Sequence, residues 1–135
     1  MKGSYILVIK LKQKKEIQIG KLGKIRFKIG FYIYVGSALN GLDHRINRHL
    51  KKTKKMHWHI DYFLDFADII DILYIESETK VECNIASILN KKLVIIPYFG
   101  SSDCRCKSHL FYGSYEKIKQ VVRNLHMMHY KVKSY

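Results

Sequence analysis

The stretch SYILVIKL, residues 4–11, is apolar at nearly every position. A strand with one wet face alternates apolar and polar residues, so a run without alternation needs apolar cover on both sides. It belongs in the middle of a sheet, with a packed layer above it and another below.

The rest of the chain contains the elements for those layers. KIRFKIG, residues 24–30, alternates: Ile25, Phe27 and Ile29 point one way and Lys24, Arg26 and Lys28 the other. The preceding KLG predicts a hairpin turn back to EIQIG. In FYIYVGSALNGLDHRINRHL, residues 31–50, a period of two gives way to a helical one. Tyr32, Tyr34 and Gly36 lie on one strand face, and Phe31, Ile33 and Val35 on the other. After the Asn40-Gly41 turn signal, Leu42, Ile46 and Leu50 form a helical stripe. Further on, the pattern predicts a short helix around HIDYFLDFA, a strand over 68–76 and a helix from about Thr79 to Lys91. A loop-like PYFGSSDCRCKSH, a short strand LFYG and an amphipathic helix from near Ser114 complete it. The expected fold is α+β: one domain over 1–135, with a small mixed, largely antiparallel sheet flanked by helices, an inserted hairpin and a C-terminal helix.

Charge narrows the partners. With 25 Lys+Arg against 11 Asp+Glu, the chain of 135 residues carries a formal +14. Such a field attracts polyanions, nucleic acid first. An anionic membrane surface comes second, and no clear apolar insertion face is present, so no membrane partner is expected. The longest apolar runs are far too short to span a bilayer, and the N-terminus lacks the pattern of a secretory signal. Three cysteines, an odd number, argue against a disulfide framework. A cytoplasmic location is expected.

The basic helix has two polar faces. At about 100° per residue, Arg45, Arg48, His49 and Lys52 fall beside the Leu42/Ile46/Leu50 stripe, while Asp43, His44, Asn47 and Lys51 face solvent. Solvation accounts for the second set only. Arginine at a core edge suits bidentate contact with phosphate. Glu82 shares a helical face with Ile85, Ala86 and Leu89, so its carboxylate points inward and needs a partner. Two partners fit: a capping box with Thr79, or a hard divalent metal.

Two further clusters carry potential ligands. His57-x-His59-x-Asp61 and Cys104-x-Cys106-x-x-His109 each fall short of the four ligands of a structural zinc site, although together they reach it. The spacing is not that of a standard finger or ribbon. Structural Zn2+ at Cys104, Cys106 and His109 is therefore the lesser reading, and His57 and His59 are expected to border a nucleic-acid groove.

Taken in order, Gly3-Ser4-Tyr5 on a first strand, Tyr34-Val35-Gly36 on a later one, Arg45 on the following helix and Glu82 on a further helix resemble the motif set of the GIY-YIG nuclease superfamily. The match spans most of residues 1–92. It is closest to a small, functionally unassigned branch that also carries HWHID and CRC…SHLFY stretches, sometimes alongside endonuclease III-type repair glycosylases. The resemblance implies a catalytic set of Tyr5, Tyr34, Arg45, His49 and Glu82. In it Tyr34 acts as general base or water-positioning group, Tyr5 lies close across neighbouring strands, and Arg45 stabilises charge on the scissile phosphate. His49 lies near the attacking water, and Glu82 holds a single Mg2+ or Mn2+. Ser37, Arg48, Lys52, His57 and His59 would contact nucleic acid. Three departures stand out: the hairpin at 16–29 lengthens the gap between the tyrosines, Ser37 stands where some relatives carry lysine, and the asparagine that several nucleases of the family carry after the position of Glu82 is missing from its place.

The expected activity is divalent-metal-dependent endonucleolytic hydrolysis of DNA in repair, with RNA also open as a substrate and a repair enzyme as a partner. The alternative is a non-catalytic nucleic-acid-binding module on the same fold.

Overall fold

The structure, a computed structural model, describes residues 1–101 and 104–132. Its centre is a six-stranded sheet. Strand β1 (Gly3–Leu11) lies between β4 (Gly30–Ala38) and β5 (Asp68–Glu76), and the order across the sheet is β6-β7-β4-β1-β5-β8. Strands β6 (Val94–Ile95) and β7 (Leu110–Gly113) extend the β4 side, and β8 (Met128–His129) borders β5. Each of these pairings is antiparallel, so the sheet stands at the antiparallel end of the expected mixture.

Both faces are covered, as the unbroken apolar run of β1 requires. Tyr5, Leu7, Ile9 and Leu11 pack into one core with the hairpin β2 (Lys15–Ile19)–β3 (Gly23–Phe27) and helices α1 (Leu42–Leu50) and α2 (His59–Leu64). Ile6 and Val8 pack into the other, against helices α3 (Glu82–Lys92) and α4 (Tyr115–Leu125). Burying each such Leu or Ile side chain is worth roughly 1.5–3 kcal/mol, so β1 anchors both layers. Pleating divides β4 as expected: Tyr32 and Tyr34 join the first core, Ile33 and Val35 the second.

Three local expectations are corrected. Strand β3 ends at Phe27, which leaves Ile29 58% exposed instead of inward. The two-residue strands β6 and β8 were not expected, since neither is long enough to show a period. Helix α3 begins at Glu82, three residues later than predicted, and the Thr79–Glu82 capping box does not form. Ser77 competes for Thr79: its hydroxyl donates to the Thr79 carbonyl at 2.7 Å and accepts the Thr79 N–H at 3.2 Å. This local turn holds Thr79 outside the helix. Among the described residues no helix is long and apolar enough to cross a membrane.

Candidate active site and thiol cluster

Four elements bring polar side chains to one end of the sheet: Ser4 and Tyr5 from β1, Tyr34 and Ser37 from β4, Arg45 and His49 from α1, and Glu82 from the first turn of α3. Strand register sets Tyr5 opposite Gly36 and Leu7 opposite Tyr34. Gly36 is required by space: a Cβ there would lie 2.4 Å from Cζ and Oη of Tyr5. With that space open, the Tyr5 ring crosses its partner strand and its hydroxyl meets His49 Nε2 at 2.6 Å.

Arg45 is fixed on several sides. Its Nη1 donates to the Ser37 carbonyl at 2.9 Å, its charge acts on the Tyr5 phenol, and its guanidinium carbon lies over Trp58 at 4.3 Å from the ring centroid. The two serines hold the far side of the site. Ser4 and Ser37 hydroxyls lie 2.9 Å apart, and Ser4 Oγ accepts the Val81 N–H at 3.4 Å, just before Glu82. Burial pushes the half-buried Glu82 carboxyl above its ordinary range, against the pull of Lys80, Arg45 and a hydrogen bond from Ser37. None of the ion pairs among the described residues includes Glu82.

Depth separates the aromatic groups. Tyr34 is 8% exposed, whereas Tyr5 is fully buried and His49 is 3% exposed. Tyr34 is therefore the least buried of the three. Burial pushes both phenols up, and Arg45 opposes it. His49 is pushed down to about 3, chiefly by burial, with Lys54, Arg45 and Arg48 adding and Asp61 opposing. It is neutral at physiological pH, and its Nδ1 has no hydrogen-bond partner among the described residues.

A depressed histidine makes stability depend on pH with a definite sign. The unfolded chain takes up a proton near pH 6.5 that folded His49 refuses until about 3, so stability is full above the first value and is lost as pH falls below it. The limiting slope is about 1.4 kcal/mol per pH unit. Urea unfolding of wild type is expected to weaken steadily from pH 6 to pH 4, and the His49→Gln slope to be shallower by about one proton. Identical slopes would remove His49 from this account.

Other sequence candidates have different surroundings. Arg48 is committed: Nη1 and Nη2 donate to Oδ1 and Oδ2 of buried Asp61, each at 2.8 Å. Lys52 lies past the end of α1, 3.5 Å from Asp68. His57 is exposed beside Trp58, with ring centroids 5.0 Å apart. His59 Nδ1 accepts the Gly100 N–H at 2.9 Å and so holds a loop. Sequence reasoning did not single out Trp58, which carries both guanidiniums, nor Asp61 as the partner of Arg48. The only sequence sign for Asp61 was its place in the HWHID stretch.

A second cluster lies beside Glu82. Cys83, Cys104, Cys106 and His109 bring one ligand atom each to within 4.8 Å of one another, a Cys3His set able to hold a metal ion. The lesser reading, in which His57, His59 and Asp61 complete the Cys104/Cys106/His109 set, does not form: Asp61 and His59 are engaged elsewhere, and α3 supplies the missing ligand. Cys83 stands 21 residues from the nearest other thiol and has no second thiol or imidazole beside it in the sequence, so sequence reasoning did not include it.

Fold and site together define a class: a double-faced antiparallel α+β domain with a Tyr-His-Arg-Glu constellation at one end and a Cys3His cluster adjoining it. Residues 4–131 match the family described as Domain of unknown function DUF123, and the chain belongs to that family. No curated protein and no solved structure matches it.

Proposed function

We propose that the protein is a divalent-metal-dependent endonuclease that hydrolyses DNA phosphodiester bonds, of the GIY-YIG kind its motifs resemble. The supporting observation is the convergence of Tyr5, Tyr34, Arg45, His49 and Glu82, drawn from four elements, onto one end of a strongly basic domain.

Glu82 fits a hard cation. It is a half-buried carboxylate outside the ion pairs of the described residues, with the Ser37 hydroxyl beside it, and oxygen ligands suit Mg2+ or Mn2+. Bound there, the ion supplies positive charge to the leaving oxygen of the phosphodiester. The chain's own groups do the rest. Arg45, held by Ser37 and Trp58, faces charge developing on the phosphate without reorganising. Tyr34 orients the attacking water, and positive charge nearby works against the burial that keeps its phenol protonated. Tyr5 hydrogen-bonds neutral His49, and the Arg45 charge acts on its phenol, so these two buried groups are positioning residues beneath the guanidinium.

One observation favours a second reading, a nucleic-acid-binding module without chemistry. Burial holds both phenols protonated, so the site is poor in ready bases. The two readings separate in one assay on supercoiled and branched DNA. The nuclease nicks with Mg2+ or Mn2+ and stops on chelation. Steeply salt-dependent binding with no cutting of any substrate would overturn it and leave the module.

A further inference from the structure

We propose that Cys83, Cys104, Cys106 and His109 bind one Zn2+ ion, and that this ion clamps the loop over Tyr34 to the helix turn that carries Glu82. Three thiolates and one imidazole are a standard structural zinc set, and Zn–S bonds of about 2.3 Å place tetrahedral ligands roughly 3.7 Å apart. The four atoms lie within 4.8 Å of one another, and Cys104 Sγ is 3.4 Å from His109 Nε2. A small inward movement closes the tetrahedron. Binding displaces three thiol protons to solvent and leaves His109 neutral, so the centre carries a net charge of about −1.

The chain brings these ligands from two places that nothing else covalent joins. Cys83 follows Glu82 in the first turn of α3. The other three lie on the segment after Gly100, which closes against β4 and itself: Val35 N–H donates to the His109 carbonyl at 2.9 Å, and His109 N–H to the Phe99 carbonyl at 2.8 Å. Gly100 adopts φ +69, and a Cβ there would meet a ring carbon of Tyr34 and the Cβ of His109, each at 3.3 Å. The loop is therefore seated directly on Tyr34. An ion at the cluster ties Glu82 on one side to Tyr34 on the other, although 48 residues separate them in the sequence.

The zinc assignment stands by itself; the clamp rests on the nuclease reading of Glu82. Both are tested on the full chain, stripped with a chelator under reducing conditions. One equivalent of Co2+ is expected to give sulfur-to-cobalt charge transfer in the near ultraviolet and the intense visible bands of a tetrahedral site, and Zn2+ to displace it. Zn2+ should raise the melting temperature by several degrees. Cys83→Ser and Cys106→Ser should each weaken Co2+ binding at least tenfold, while Glu82→Gln leaves the spectrum unchanged. A weak octahedral spectrum, or an unchanged melting temperature with Zn2+, overturns the site. If a serine variant fails to fold, the wild-type titration still decides. For the clamp, Mn2+ affinity is compared by electron paramagnetic resonance with and without Zn2+. At least a tenfold loss on zinc removal is expected, and equal affinities overturn it. If zinc-loaded protein neither binds Mn2+ nor cuts DNA, the nuclease reading and the clamp fall together, and the cobalt result remains.

Discussion

Glu82→Gln is expected to abolish metal-dependent DNA cutting while leaving the protein folded and bound to DNA. Glutamine keeps the size of the side chain and its contact with the Ser37 hydroxyl but loses the anionic oxygen that a hard cation needs. Losing the electrostatic contribution of such an ion costs several kcal/mol of transition-state stabilisation, roughly a thousandfold or more in rate. Stability should move the other way. Burial raises the Glu82 carboxyl above its ordinary range, which means that the fold disfavours its charge, so at neutral pH the neutral variant should melt no lower than wild type. Because the capping box is absent, no helix cap is lost either. Nicking, gel-shift and melting measurements on one preparation decide it. Equal cutting by both proteins would return Glu82 to a structural role.

The second large effect falls on folding. Asp61→Ala removes a fully buried carboxylate that accepts both Arg48 nitrogens at 2.8 Å and the His57 and Trp58 N–H groups at 2.9 Å each. Removing one partner of such a pair leaves the other charge unpaired, at a cost of about 3–5 kcal/mol. A domain has about 5–15 kcal/mol in total, so the variant should lie near or past the edge of folding at 37 °C. Burial works to raise the Asp61 carboxyl, yet Arg48 and the two amides outweigh it and hold it below the ordinary range. Its stabilisation is therefore present above the unfolded carboxylate range and lost as pH falls through the folded value. Trp58, the chain's single tryptophan, stacks with both arginines and reports the change in fluorescence. A urea midpoint within about 1 kcal/mol of wild type would refute the buried pair. Asp61→Leu with Arg48→Met should recover part of the loss, because an apolar pair leaves no charge unpaired.

What the sequence by itself determined was local. Residues 4–11 demanded cover on both faces and received it, β4 divided its aromatic and aliphatic residues between two cores, and the strand over 68–76 formed with the expected bounds. The stripe of α1 went inward while Asp43, His44, Asn47 and Lys51 stayed in solvent. Each of these follows from an unbroken apolar run or a period of 2 or 3.6, which a run of neighbours carries whatever surrounds it. Even the order of Tyr5, Tyr34, Arg45 and Glu82 was legible, because a motif keeps its order along the chain. Only the tertiary structure decided which side chains pair. Arg45 and Arg48 lie three apart on one helix and look alike in sequence, yet Arg45 bonds the Ser37 carbonyl while Asp61 absorbs Arg48. Glu82 and Cys83 are neighbours, yet the helix turn sends one toward Ser37 and the other to three ligands more than 20 residues away. Periodicity encodes which face a residue occupies, and pairing depends on which element is stacked against that face, a long-range choice made by the whole core.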